Sequence, residues 1–99
     1  MIATGGTIAS KSGKNGLSPA LTTGEILSFI NVSEICDVNA IQLMNIDSTN
    51  VTPAKWLEMA AAIRNNYDDY DGFVICHGTD TMAYTAAALS YLIQKSPKP

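Results

Sequence analysis

Apolar residues in this chain fall into short blocks, each followed by small polar ones. The plainest block is Phe73-Val74-Ile75-Cys76, an unbroken run of the kind expected for a strand buried on both faces of a parallel sheet. It gives way to His77-Gly78-Thr79-Asp80-Thr81, after which Met82, Ala86, Leu89 and Ile93 recur at helical spacing. The pattern reads strand, tight turn, helix. A second strand is predicted over residues 38–46, where Val38, Ala40, Leu43, Met44 and Ile46 are apolar. It too ends in small polar residues, Asp47-Ser48-Thr49-Asn50. Thr52 as cap and Pro53 at the first helical position then open a helix, with Trp56, Met59, Ala60 and Ile63 as its buried stripe.

Nearer the start, Thr22-Thr23-Gly24-Glu25 is a capping box, with Thr22 at the N-cap and Glu25 at N3. It predicts a short helix to about Ile30 that buries Ile26, Phe29 and Ile30. Met1-Ile2-Ala3 runs directly into Thr4-Gly5-Gly6-Thr7-Ile8. So short an apolar lead-in is a stub beside the usual strand of about five or six residues, and the sequence is expected to begin inside an element. Residues 10–19 are turn formers without apolar period. They predict a flexible loop or short hairpin, placed where it could close over a substrate.

The order is therefore strand stub, loop, helix, strand, helix, strand, helix. Such alternation predicts an α/β fold: a three-layer parallel sheet with helices on both faces, Rossmann-like, forming the incomplete N-terminal part of a larger domain that occupies residues 1–99. Its consequence is convergence. Residues 4–7, 47–50 and 77–80 all follow carboxyl ends of strands, the edge at which open α/β sheets bind ligands.

Composition narrows the function classes. With 99 residues the chain makes one domain at most, and a modest core. A hydrophobic share of 46%, a charged share of 15% and a net charge of -3 describe a globular chain without the basic surface of a nucleic-acid binder. No apolar run approaches the length of a bilayer span, and the N-terminus lacks the basic and apolar regions of a signal peptide. Together these predict a cytoplasmic protein with neither nucleic-acid nor membrane partners. Cys36 and Cys76, far apart and outside any CxxC, are expected to be buried, reduced thiols, not a disulfide or a metal site.

The residues at the strand ends carry the candidate chemistry. Hydroxyls of Thr4, Thr7, Ser48 and Thr79 could attack a carbonyl, Asp47 and Asp80 could orient an amine, and Gly5 and Gly6 leave amides open to an oxyanion. Residue types alone support either acyl transfer with a Thr nucleophile or a small-ligand crevice. Thr79 or Asp80 could instead merely cap the following helix. A phosphate-binding alternative fails: residues 5–12 miss the G-x-x-x-x-G-K-[ST] pattern at Ser10, and turn formers follow where a helix must open. His77 fits a structural hydrogen bonder better than a general base, while Cys76 and Trp56 fit packing roles.

Two hexapeptides, Ala3-Thr4-Gly5-Gly6-Thr7-Ile8 and His77-Gly78-Thr79-Asp80-Thr81-Met82, resemble the signature motifs of the bacterial-type L-asparaginases. Residues 67–75 and 83–86 are more similar to the cytoplasmic, type I branch. The resemblance spans the chain, but only the opening part of the family's larger domain. It implies a threonine amidohydrolase that converts L-asparagine to L-aspartate and ammonia without cofactor or metal, homo-oligomeric at full length. By the same resemblance Thr7 is the nucleophile and Thr79 the second catalytic threonine. Ser48, flanked by Asp47 and Thr49, holds the substrate α-carboxylate, and Asp80 binds the α-amino group while ordering a lysine.

Two departures qualify the match. In many members a loop tyrosine pairs with the nucleophile, and here Leu17 falls near its place. The family's catalytic lysine lies beyond the next strand, and none of the lysines in this chain matches it. These 99 residues alone are thus expected not to hydrolyse asparagine. Other readings compatible with the motifs are an amidotransferase subunit, which releases ammonia for a transfer-RNA-linked substrate, and a non-catalytic amino-acid-binding module.

Overall fold

Ile2–Gly5 form the middle strand, β1, of a parallel sheet and are buried along their length: Ile2 is 2% exposed, Ala3 0% and Thr4 2%. The computed structural model describes residues 1–6, 10–13, 16–19, 23–28 and 32–99. After β1 come an antiparallel hairpin of β2 (Ser10–Gly13) and β3 (Gly16–Pro19), helix α1 (Thr23–Ser28), strand β4 (Ile41–Ile46), helix α2 (Pro53–Asn65), strand β5 (Ile75–Cys76) and helix α3 (Met82–Leu92). The sheet order is β4-β1-β5, both pairings parallel. The crossover from β1 to β4 and the one from β4 to β5 run in opposite directions. Right-handed connections therefore put α1 and α2 on opposite faces, and α3 packs beside α2.

The stub is thus the centre of the sheet. Its brevity is offset by burial between two partners, Ile2 pairing with Ile41 on one side and Ile75 on the other. Register with β4 slips after Ala3, so that Gly5 faces Ile46. Gly5 takes φ +105, and a Cβ there would sit 2.5 Å from the Ile46 carbonyl oxygen. Only glycine meets both demands.

Of the residues predicted to line α2, Met59 (0% exposed), Ala60 and Ile63 are buried, and Trp56 is half-buried. Thr52 is the N-cap and Pro53 opens the helix, although the Thr52 side chain makes no capping bond. Ile26 of α1 is buried as expected; Thr22, Phe29 and Ile30 lie outside the described residues.

Several expectations need correction. The strand predicted over residues 73–76 shrinks to Ile75–Cys76, with Val74 65% exposed. Among the described strands β5 pairs on one side only, so it lacks the two-sided burial that the apolar run suggests. Phe73 instead stacks with Tyr67, 6.0 Å between centroids, and meets Tyr70 edge-on. The strand predicted from residue 38 begins at Ile41. On α3 the stripe is rotated: Met82 is 51% exposed and Ala86 exposed, while Thr85 is the buried position. That helix is apolar nearly all round, so spacing cannot choose its face, and hydrogen bonding to Thr85 does. Cys36 is exposed, not buried. No helix among the described residues is long and apolar enough to cross a membrane.

Burial differs sharply between neighbours on α2. Met59→Ala should cost about 2–5 kcal/mol through the cavity it leaves, whereas Leu57→Ala, at a position 59% exposed, should change stability by no more than about 0.5 kcal/mol. Denaturant midpoints of the two variants check this ordering.

Candidate active site

Strands β4 and β5 flank β1, so the chain reverses its progress across the sheet at β1. The loops leaving β1 and β5 therefore part at a topological switch point, where open α/β sheets form their ligand crevice. Here the loops do more than converge. Gly6 takes φ +88, and a Cβ on it would lie 2.4 Å from both Cα and N of Gly78. A Cβ on Gly78 would lie 2.7 Å from Cβ and Oγ of Ser48. The segments after β1 and β5 thus meet backbone to backbone, and the Ser48 side chain of the segment after β4 packs directly on Gly78.

The segment after β4 is held from within. Asp47 caps a 3-10 turn, Ser48–Asn50, its carboxylate accepting from the Thr49 main-chain N–H at 2.9 Å and the Thr49 hydroxyl at 2.8 Å. These two bonds, the main-chain one foremost, hold the Asp47 carboxyl below its ordinary value. Ser48 is 3% exposed, and its carbonyl accepts the Thr81 hydroxyl at 2.7 Å. On the other side of β1, the Thr4 hydroxyl donates to the Cys76 carbonyl at 2.8 Å. The hydroxyls of Thr4 and Thr81 therefore lock the three segments together. Thr81 belongs to the second hexapeptide, but nothing in the sequence points to its partner, Ser48.

Thr79 and Asp80 stand apart from this locking. Both are exposed. The N-cap of α3 is Thr81, without a side-chain capping bond, so neither residue caps the helix. Among the described residues no hydrogen-bond partner engages either side chain. Two polar side chains left unused on a tightly fixed turn are available to a ligand. Thr7, which follows Gly6 in the chain, lies outside the described residues.

His77 is structural. Its Nδ1 lies 2.7 Å from the Gly78 carbonyl and its Nε2 2.9 Å from the Thr85 hydroxyl, which also accepts the Trp56 indole N–H at 2.9 Å. Burial pushes the Cys76 thiol up, away from the reactive thiolate. Lys55 on α2 pairs with Glu58 at 2.9 Å; after α3, Lys95 lines the cavity beside Ile63 and Leu92 and Lys98 sits on the Tyr67 ring, 4.6 Å from its centroid, so none of these three lysines serves the site. Among the described residues no group of His, Cys, Asp and Glu could hold a metal. An open cavity of about 380 Å³ lies between the end of α2 and the segment after α3, lined by Ile63, Tyr67 and Leu92 among others. It is at the opposite end of the sheet and contains none of the candidate residues.

The backbone contacts predict which glycines tolerate a methyl group. Gly6→Ala should cost about 1–3 kcal/mol from its φ alone, with overlap on Gly78 adding to it. Gly78→Ala collides with a side chain instead, so Ser48→Gly should recover part of its loss in a double-mutant cycle, and should not rescue Gly6→Ala. The Asp47 carboxyl, depressed in the folded state, contributes stability above its ordinary value of 3.8, lost as pH falls through the lower folded value. An NMR titration should find that lower midpoint. Thr49→Ala should move it only partway back, because the main-chain bond remains.

Comparison with known proteins agrees with this geometry. The family model for the N-terminal region of asparaginases matches residues 1–99. The L-asparaginase of Thermococcus kodakarensis is 39% identical over 101 residues, an alignment that covers all of this chain and 31% of the relative. Its structure superimposes with a TM-score of 0.79 over 91% of this chain and 28% of that one. A probable cytoplasmic L-asparaginase from Campylobacter jejuni gives a TM-score of 0.80 at 34% identity, covering 89% of this chain and 29% of that one. A glutamyl-tRNA(Gln) amidotransferase subunit from Metallosphaera sedula is 44% identical over 103 residues, covering the whole chain and 24% of the relative. The chain thus spans 24% to 31% of the length of these relatives. By its fold, its motifs and the match over its whole length, it belongs to the asparaginase family.

Proposed function

We propose that the protein containing this chain is an amidohydrolase that cleaves the side-chain amide of L-asparagine to L-aspartate and ammonia. The observation that carries the reading is the contact of the Gly6 and Gly78 backbones with each other and of Gly78 with the Ser48 side chain at the switch point. It brings the ends of β1, β4 and β5 to one crevice while leaving Thr79 and Asp80 uncommitted. In this scheme the Thr7 hydroxyl attacks the amide carbon and main-chain N–H groups stabilise the oxyanion. Ammonia leaves with a proton, and water then hydrolyses the acyl-enzyme. Thr79, assisted by a lysine outside this chain, handles protons. Ser48, flanked by Asp47 and Thr49, receives the α-carboxylate, and Asp80 receives the α-amino group.

The relatives favour a second reading equally. The amidotransferase subunit matches at 44% identity, and such a protein would pass its ammonia to an acylated transfer RNA. Both readings begin with the same amide cleavage at the same residues. They differ in the acceptor, and hence in the partner chain that would bind the nucleic acid.

Four substitutions in the full-length protein test the roles, read as ammonia release from asparagine and from glutamine. Thr7→Val and Thr79→Val should each remove most turnover while leaving the fold intact. Ser48→Ala should chiefly raise KM, and Asp80→Ala should harm kcat and KM together. A Thr7→Val protein at the wild-type rate would overturn the assignment. Ammonia release that rises on adding a partner chain and glutamate-charged transfer RNA would select the second reading.

A further inference from the structure

Trp56 on α2, Thr85 on α3 and His77 at the end of β5 form one chain of hydrogen bonds, and its polarity can be worked out. The Gly78 carbonyl can only accept, so His77 Nδ1 carries a hydrogen at the 2.7 Å contact. In the neutral imidazole Nε2 then has a lone pair and no hydrogen, so the Thr85 hydroxyl donates to it at 2.9 Å. The indole N–H of Trp56 can only donate, and it does so to the Thr85 oxygen at 2.9 Å. Each donor and acceptor is used once, in the direction Trp56 to Thr85 to His77 to Gly78. Thr85 is 3% exposed, so water does not compete at the centre of the chain.

The end of this chain is a peptide group, not a side chain. No peptide bond among the described residues is cis, so the Thr79 N–H points opposite to the Gly78 carbonyl in the same plane. Fixing that carbonyl against the imidazole fixes the Thr79 N–H in the reverse direction, away from the His77 ring. Gly78 has no side chain to resist rotation of this plane, and the Thr79 main chain has no other hydrogen-bond partner among the described residues. We infer that His77, held by Thr85 and Trp56, is a positioning residue that orients the Gly78–Thr79 peptide so that its N–H is preset for the carbonyl oxygen of a bound amide. The inference rests on the amidohydrolase reading. It assigns work to a histidine that neither the nucleophilic nor the substrate-holding roles use, and a second role to the buried threonine that sets the face of α3.

A preset donor acts on the oxyanion more than on the bound substrate, so losing its orientation should lower kcat and spare KM. In the full-length protein, Thr85→Val keeps shape and removes the central hydroxyl. It should reduce kcat for asparagine about threefold to tenfold, the loss expected for one neutral hydrogen bond, with KM unchanged within about twofold. Thr85→Ser should restore kcat, and Trp56→Phe should give a smaller loss in the same direction. Nitrogen-15 spectra of labelled histidine should show His77 protonated at Nδ1 in the wild type, with the Nε2 signal shifted in Thr85→Val.

An unchanged kcat in Thr85→Val, or a Thr85→Ser protein as impaired as Thr85→Val, overturns the inference. So does a His77 protonated at Nε2 instead of Nδ1. Should Thr85→Val fail to fold, Trp56→Phe with wild-type kcat and altered His77 spectrum does the same. A wild-type protein that releases no ammonia while its His77 shows the Nδ1–H form marks a failure of the amidohydrolase reading instead, and withdraws the role assigned to the peptide with it.

Discussion

Everything at the carboxyl edge of this sheet depends on two glycine backbones touching. Gly6 and Gly78 leave β1 and β5 so close that either side chain would occupy the other's main chain or Ser48. That contact closes the floor of the crevice and brings the turn after β4 against it. The left-handed conformations of Gly5 and Gly6 carry the chain out of the central strand just where the neighbouring loops approach. Hydrophobic burial assembles the sheet behind this point, but the loops are set by the absence of Cβ atoms and by the bonds from Thr4 and Thr81.

Small polar side chains do a second kind of work. Helix α3 is apolar around most of its circumference, with Tyr84 67% and Tyr91 76% exposed. Burial alone leaves its rotation about its own axis poorly defined. Thr85 supplies the missing direction, because a buried hydroxyl must find partners and only one orientation offers both Trp56 and His77. The same threonine therefore fixes the helix and braces the turn that presents Thr79 and Asp80.

The alternation of strand and helix, the parallel sheet and the common edge of the three polar segments are legible in the sequence, since each follows from apolar runs bounded by small residues. Three things are not. The face of α3 escapes a sequence reading because a uniformly apolar helix has no periodicity to read. The length of β5 comes out too great because an apolar run does not mark pairing: Phe73 packs on Tyr67 and Tyr70, and Val74 is exposed. The bracing by Thr81 and Thr85 is invisible because it joins residues 33 and 29 positions apart, with no local pattern. His77 is recognisable as a structural hydrogen bonder, but its partners emerge only from coordinates. The roles of Thr7 and Ser48 come from resemblance to a family.

If the ends of β1, β4 and β5 make one crevice for an amino-acid amide, L-aspartate bound to the full-length protein should occupy it, and a crystal structure of that complex would show where it sits. The α-carboxylate is then expected at Ser48, the α-amino group at Asp80, and the side-chain carboxylate beside Thr79 and the residues that follow Gly5. An aspartate seated at the opposite end of the sheet, in the cavity beside Ile63 and Tyr67, would contradict the shared crevice.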